Sequence, residues 1–295
     1  MRRTGLSTML LAYVAATLLA AIVWWFTPAL APWQRTLCAG LAATGLLWLV
    51  GLVRGNPSVF DPYWSVAPML VAMAWSHDHA SSDASVTRQF VVLCLVCAWG
   101  LRLTYHWWRT FPGLDHEDWR YTDMRETSGR LFPLVNLVVI HFVPTLMLLL
   151  ACAAMYPAVV TGTRPLGFLD LFAATWTLSA ILLEARADHE MRAFRSRPRE
   201  AGTVYQSGVW AWLRHPNYLG ELSFWWGLFL FSLAADPTAR WAAAGPLVIT
   251  AMLVLYSAPA LDRRMLARYP AYRDYMARVP SLLPRRPAVT GSSAT

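Results

Sequence analysis

The 295-residue chain contains no lysine, so every fixed positive side chain is an arginine. A genome rich in G and C produces that bias without any functional demand, and no site is read from it. Charged residues of both signs make up only 14% of the chain, against 57% apolar residues. This leaves too little polar surface to cover a water-soluble globule of the same length and excludes the soluble classes. Cysteine is also scarce: Cys38, Cys94, Cys97 and Cys152 all fall inside apolar runs, where a reduced thiol packs as a small hydrophobe. They offer no disulfide framework, and the Cys94-x-x-Cys97 pair lacks the second pair or histidine cluster that a zinc or redox site requires. No G-x-G-x-x-G follows a strand-like run, so a dinucleotide would not be held in Rossmann fashion. The net charge of +8 does not indicate nucleic acid, because the arginines sit in short loops between apolar runs. There, chain orientation and contact with anionic lipid or phosphate are the expected uses.

What the chain does contain is long hydrophobic runs. About 20 apolar residues cross a bilayer as a helix, and spans are expected near 6–26, 36–53, 61–76, 90–107, 131–156, 166–184, 218–235 and 241–261. The third is short and carries Pro62 and Pro68, so seven complete spans plus a broken or re-entrant one is the alternative. The first run follows Arg2 and Arg3, as in a signal peptide, and Ala29-Leu30-Ala31 resembles a cleavage site. Its length, about twice that of a signal h-region, favours an uncleaved helix. Trp24, Trp25, Trp33, Trp107, Trp108 and Trp241 stand near run ends, where an amphipathic ring suits the headgroup zone, although core packing explains them equally. With the amino terminus inside and eight spans, only Arg35, Arg88, Arg164 and Arg240 fall outside, twenty arginines fall inside, and Arg102 lies within the fourth span. That asymmetry is the positive-inside signal. The expectation is an all-α polytopic bundle with both termini cytoplasmic. It comprises N-terminal helices over 1–55, a main membrane domain over 56–284 and a disordered tail over 285–295.

Three segments carry most of the charge: 109–130, 186–214 and 262–286. The first holds Asp115-His116-Glu117-Asp118-Trp119-Arg120-Tyr121, with donors, acceptors and rings inside seven residues. In the second, Glu184, Asp188, Arg192 and Arg195 share one helical face, which a solvated salt-bridge ladder would also explain. After it, Arg214-His215-Pro216-Asn217-Tyr218 opens a helix at Pro216, with Asn217 and Glu221 one turn apart as the chain re-enters lipid. An anion would find arginine, imidazole and free N–H groups at that helix start. Glu221 is the costly member, since a carboxylate at the membrane boundary requires a partner or a polar ligand. His141 in the fifth span reads as an interhelical hydrogen-bonder. Asp61 could cap the helix after it or hold a tyrosine hydroxyl or a protonated acid against a substrate carbonyl. Arg102, Tyr105 and His106 end the fourth span on the same face.

The segments Leu183-Glu184-Ala185-Arg186-Ala187-Asp188, Gly208-Val209-Trp210, Arg214 to Glu221 and Trp225-Trp226-Gly227 together resemble the membrane-bound steroid 5-alpha-reductase family, in its bacterial branch. The likeness runs from about Asn56 to Pro284 and includes Asp118 to Tyr121 and the closing 269–275 stretch. It implies an NADPH-dependent reductase of a lipophilic enone in a bacterial inner membrane, with the cofactor on the cytoplasmic side and the substrate entering from lipid. By motif, Asp188, Arg192, Arg195, Tyr205, Arg214, His215, Asn217, Tyr218 and Glu221 would lie along NADPH, and Arg109, Asp118 and Arg120 would close around its phosphates. Asp61 matches the family's substrate-facing glutamate, and Tyr105, or His106 in an ungapped match, takes the place of its tyrosine. The aspartate and the Phe60 before it depart from the steroid-reductase pattern, which puts steroid specificity in doubt. Isoprenylcysteine carboxyl methyltransferases carry a similar R-H-P-x-Y-x-G run, so an S-adenosylmethionine-dependent methyltransferase is one alternative. A non-catalytic lipid-binding or transport protein is the other.

Overall fold

The computed structural model describes residues 2–78, 85–198, 200 and 202–283, and every regular element among them is helical. The expected tail over 285–295 lies outside the described residues. Seven helices are long and apolar enough to cross a membrane: α1 (Arg2–Trp25), α2 (Pro32–Arg54), α4 (Val86–Thr110), α5 (Trp119–Met155), α6 (Phe168–Ser196), α7 (Pro216–Ala235) and α8 (Arg240–Arg268). The chain is thus an all-α polytopic membrane protein. Its outer surface is apolar: Leu10, Phe90, Leu171 and Leu255 are all largely exposed, the reverse of a soluble fold.

The third expected span is the helix α3 (Tyr63–Asp78), with Pro68 inside it. Sixteen residues rise only ~24 Å, short of the ~30 Å hydrocarbon core. Its ends nevertheless reach both ends of the bundle. Asp61, just before it, meets Tyr121 at one end, while Asp78 at its close pairs with Arg35 at the other. Eight passes therefore bring Arg2, which donates to the Trp108 carbonyl, and Ser281, which accepts from the His215 amide, to the same end. The 109–130, 186–214 and 262–283 segments gather there too, and we call it the arginine-rich end.

The opposite end is closed by its few charges. Arg88, fully buried, donates to both Asp170 oxygens at 2.6 and 3.0 Å and to the carbonyls of Arg164 and Pro165, clamping α4 to α6. In between, α6 and α7 pack most closely. A Cβ on Gly220 would stand 2.7 Å from the Glu184 Cβ and 3.0 Å from the Ala180 carbonyl, the small-residue contact by which membrane helices approach without hydrophobic driving force. α5 is not α-helical throughout: Asn136–Phe142 is π-helical, and it carries the fully buried His141, whose Nδ1 lies 2.8 Å from the Asn136 carbonyl oxygen.

Candidate functional site

The polar groups of the candidate site come from the turn ahead of α3, the last turns of α4, the loop and first turn that open α5, the last turns of α6, the first turns of α7, α8 and the short helix after it. One buried layer centres on Arg102 of α4. Its Nη2 stands 2.6 Å from Glu184 Oε2 and its Nη1 2.8 Å from Asp188 Oδ2, both on α6. His106, one turn further along α4, brings Nδ1 to 3.9 Å from the same Asp188 oxygen. Glu184 is buried rather than part of a solvated ladder. Arg102 Nε and His106 Nδ1 are both buried without a hydrogen-bond partner among the described residues, while Glu184 Oε2 has only Arg102 Nη2 beside it. Such orphaned donors and acceptors suit a polar ligand or ordered water.

Glu221 sits deeper, on α7, and its surroundings differ from the expectation. Its Oε1 accepts from the indole N–H groups of Trp64 at 3.0 Å and Trp225 at 2.9 Å, and its Oε2 from Trp99 at 3.0 Å. Both oxygens are engaged and the residue is 7% exposed, so it anchors three helices rather than facing an opening. Nothing in a linear reading joins Trp64, Trp99 and Trp225. Only the i, i+4 spacing of Glu221 and Trp225 was available.

At the opening of α5, Asp118 is the helix N-cap and accepts from the Arg120 amide at 2.9 Å and from its guanidinium at 2.8 and 3.1 Å. Burial alone would push the Asp118 carboxyl up. The hydrogen bonds and charge of Arg120, with the charge of Arg264, outweigh it and hold the group below its ordinary value. Next to this pair, the Tyr121 hydroxyl donates to Asp61 Oδ1 at 2.7 Å. Asp61 lies in the turn ahead of α3, outside every span. Enclosure pushes its carboxyl up to about 7 despite the Tyr121 hydrogen bond and the Arg120 charge. The phenol that Asp61 holds is therefore Tyr121, not Tyr105. Tyr105 is 52% exposed on the flank of α4, where its hydroxyl accepts from Arg109 at 3.0 Å. His106, by contrast, turns toward α6. Arg109 thus stands with Tyr105 rather than in the Asp118–Arg120 pair.

Arg214 and His215 are also committed elsewhere. Asp262 of α8 takes Arg214 Nη2 at 2.8 Å, His215 Nε2 at 3.0 Å and the Tyr272 hydroxyl at 2.6 Å, while Arg214 Nη1 donates to the Val279 carbonyl at 2.6 Å. This network ties the start of α7 to α8 and to the short helix α9 (Tyr272–Arg278). His215 stacks on Tyr218 at 5.2 Å between ring centroids, and Tyr218 lies within electrostatic range of Arg120, Asp262 and Asp118. Asn217 is half-buried and makes no hydrogen bond among the described residues. Arg192 approaches His189 at 3.3 Å, Arg195 follows one turn on, and Tyr205 packs on Phe194 at 5.0 Å between ring centroids. Arg264, which sequence reasoning passed over, lies 4.1 Å over the Trp119 ring.

An apolar cavity of about 410 Å3 lies between α1, α2 and α3. Tyr13 and Tyr63 line it, and Tyr13 is within electrostatic range of both Asp61 and Tyr121. Neither Asp61 nor Tyr121 lines the cavity; Tyr13, which does, reaches the Val59 and Phe60 carbonyls at 3.2 Å, just ahead of Asp61.

Comparison with known proteins gives kinship without a function. An uncharacterized protein of Schizosaccharomyces pombe, C594.04c, is 25% identical over 264 residues, covering 81% of this chain and 76% of its own. No solved structure matches. Residues 47–279 match the family described as "Protein of unknown function (DUF1295)", and the chain belongs to that family.

Proposed function

We propose that the protein is a membrane-embedded, NADPH-dependent reductase of the carbon–carbon double bond of a lipophilic enone, akin to the steroid 5-alpha-reductases. We place its active site on the cytoplasmic face of a bacterial inner membrane. The observation that carries this reading is the Asp61–Tyr121 hydrogen bond, next to the Asp118–Arg120 pair and linked through Tyr13 to an apolar cavity. An enone has an apolar body and one carbonyl oxygen, and this arrangement has a place for each.

The donor set fits a dinucleotide. Arg120, Arg192, Arg195 and Arg264 supply cations at the arginine-rich end, and the unpartnered Arg102 Nε and His106 Nδ1 supply inward donors. Bound there, NADPH would supply the reducing equivalents. Arg120, held by Asp118, would fix a phosphate, and Tyr218, stacked on His215 at the start of α7, would offer a ring and a hydroxyl. Glu221 would act indirectly, by fixing the ends of α3, α4 and α7 through its three indoles.

The 2.7 Å contact between Asp61 and Tyr121 serves in either direction. With Asp61 protonated, its hydrogen goes to the phenol oxygen and leaves the phenol hydrogen for the carbonyl oxygen, where negative charge builds. A carboxyl near 7 is part-protonated at neutral pH. The test is to incubate the purified protein with NADPH and a panel of lipophilic enones and to follow NADPH absorbance. Turnover with at least one enone, lowered ~100-fold or more by Asp61→Asn and by Tyr121→Phe, is the expected result. No turnover in the wild type across the panel, with NADPH bound or not, would count against the reading.

A further inference from the structure

A second concavity, of about 580 Å3, runs along the bundle surface between α1 and α4, on the flank of α4 that carries Tyr105. Leu6 and Leu10 form one wall, Leu101 and Trp108 the other, and Val66 of α3 the floor. Leu10 and Leu101 are 66% and 61% exposed, so the walls face the lipid. Seven residues of helix rise ~10 Å, so each wall is about two-thirds as long as one leaflet's share of the ~30 Å hydrocarbon core. The groove meets the cavity between α1, α2 and α3 only at Tyr13 and Val66, which line both.

What distinguishes this groove from ordinary lipid-facing surface is the charge at its mouth. Arg109 donates one N–H to the Tyr105 hydroxyl at 3.0 Å, and Arg2 donates one to the Trp108 carbonyl at 2.9 Å. Each of those bonds uses one of five guanidinium donors. Asp115 lies near the Arg2 backbone beside Gly113, and among the described residues neither arginine forms an ion pair with it or any other acid. Arg109 therefore stands beside the Tyr105 ring and Arg2 beside the Trp108 carbonyl, above an apolar slot about two-thirds of a leaflet deep. Arginine matches a phosphate bidentately, and basic residues at this depth attract anionic headgroups.

We infer that the groove between α1 and α4 is a binding site for an anionic glycerophospholipid, with one acyl chain along Leu10 and Leu101 and its phosphate on Arg109 and Arg2. The site is separate from the cavity assigned to the enone and does not depend on that assignment.

Native mass spectrometry of the full-length protein in detergent, titrated with phosphatidylglycerol or phosphatidylcholine of the same chains, tests it. The expected result is at least fivefold greater retention of phosphatidylglycerol. Arg109→Gln should lower that preference by about fivefold, the worth of one interfacial charge, and Arg109→Lys should keep most of it. Leu101→Trp, which fills the groove, should lose the bound lipid, whereas Leu182→Trp on the exposed face of α6 should behave as wild type. Equal retention of the two lipids by the wild type would overturn the inference, as would full retention of phosphatidylglycerol by Leu101→Trp. Melting curves of each variant separate loss of lipid from loss of fold.

Discussion

Glu221→Gln is the most informative single change, because it is nearly isosteric and alters only the charge and the hydrogen-bond inventory of a buried site. In the wild type three indole N–H groups converge on two carboxylate oxygens at 2.9 to 3.0 Å. A glutamine that keeps its oxygen toward Trp64 and Trp225 must turn its amide nitrogen toward the Trp99 N–H, donor against donor. One bond to a charged group, worth about 1.5–3 kcal/mol, is lost, and the other two weaken to neutral ones at a cost of a further ~1–2 kcal/mol. Relief of the desolvated charge offsets part of this, leaving a net loss of about 2–4 kcal/mol. For a chain of this size that corresponds to a fall of roughly 5–15 °C in the thermal midpoint. A double-mutant cycle sharpens the test. Trp99→Phe removes the donor that the amide opposes, so it should cost at least ~1 kcal/mol less in the Glu221→Gln background than in the wild type. Thermal melts of the four detergent-solubilised proteins decide it. Additivity to within ~0.5 kcal/mol, or an unchanged midpoint for Glu221→Gln, would refute the convergence of the indoles on this carboxylate.

Further predictions concern the other groups of the arginine-rich end. Asp61→Asn should lower kcat for enone reduction by ~100-fold or more while leaving NADPH affinity within about twofold, since proton placement rather than cofactor binding is removed. Wild-type activity should fall as pH rises through about 7, because the active form of Asp61 is the protonated one, and Asp61→Asn should lack that limb; steady-state pH profiles check both. Asp262→Ala strands Arg214 and His215 and should destabilise by about 3–5 kcal/mol, read as an early thermal transition. Gly220→Ala places a methyl against Glu184 and the Ala180 carbonyl and should cost ~1–3 kcal/mol in the same assay.

Much of the architecture was legible in the sequence because the bilayer imposes one-dimensional rules. Hydrophobic length gave the passes, and the separation of Arg35, Arg88, Arg164 and Arg240 from the other arginines gave the common end. Even the short third pass was visible as a proline-bearing run. Side-chain roles were less legible because they depend on helix rotation. Neighbours on a helix are turned by 100°, which is why Tyr105 and His106, adjacent in sequence, face the lipid flank and α6 respectively. Tyr121, not Tyr105, reaches Asp61, by a contact across 60 residues. Arg214 and His215 stand at a helix start as expected, but Asp262, 48 and 47 residues away, occupies them. An intramembrane arginine needs a buried partner, and Arg102 could have been matched on that ground to the Glu184 and Asp188 face.

NADPH binding at the arginine-rich end is the proposed property on which the reductase assignment rests. It is tested most directly by equilibrium binding to the purified protein in detergent, comparing NADPH with S-adenosylmethionine and with Arg120→Gln and Arg192→Gln variants. Saturable binding of NADPH, weakened at least tenfold in each variant, and no binding of S-adenosylmethionine are expected. Saturable binding of S-adenosylmethionine, or failure of the folded wild type to bind NADPH at all, would contradict it.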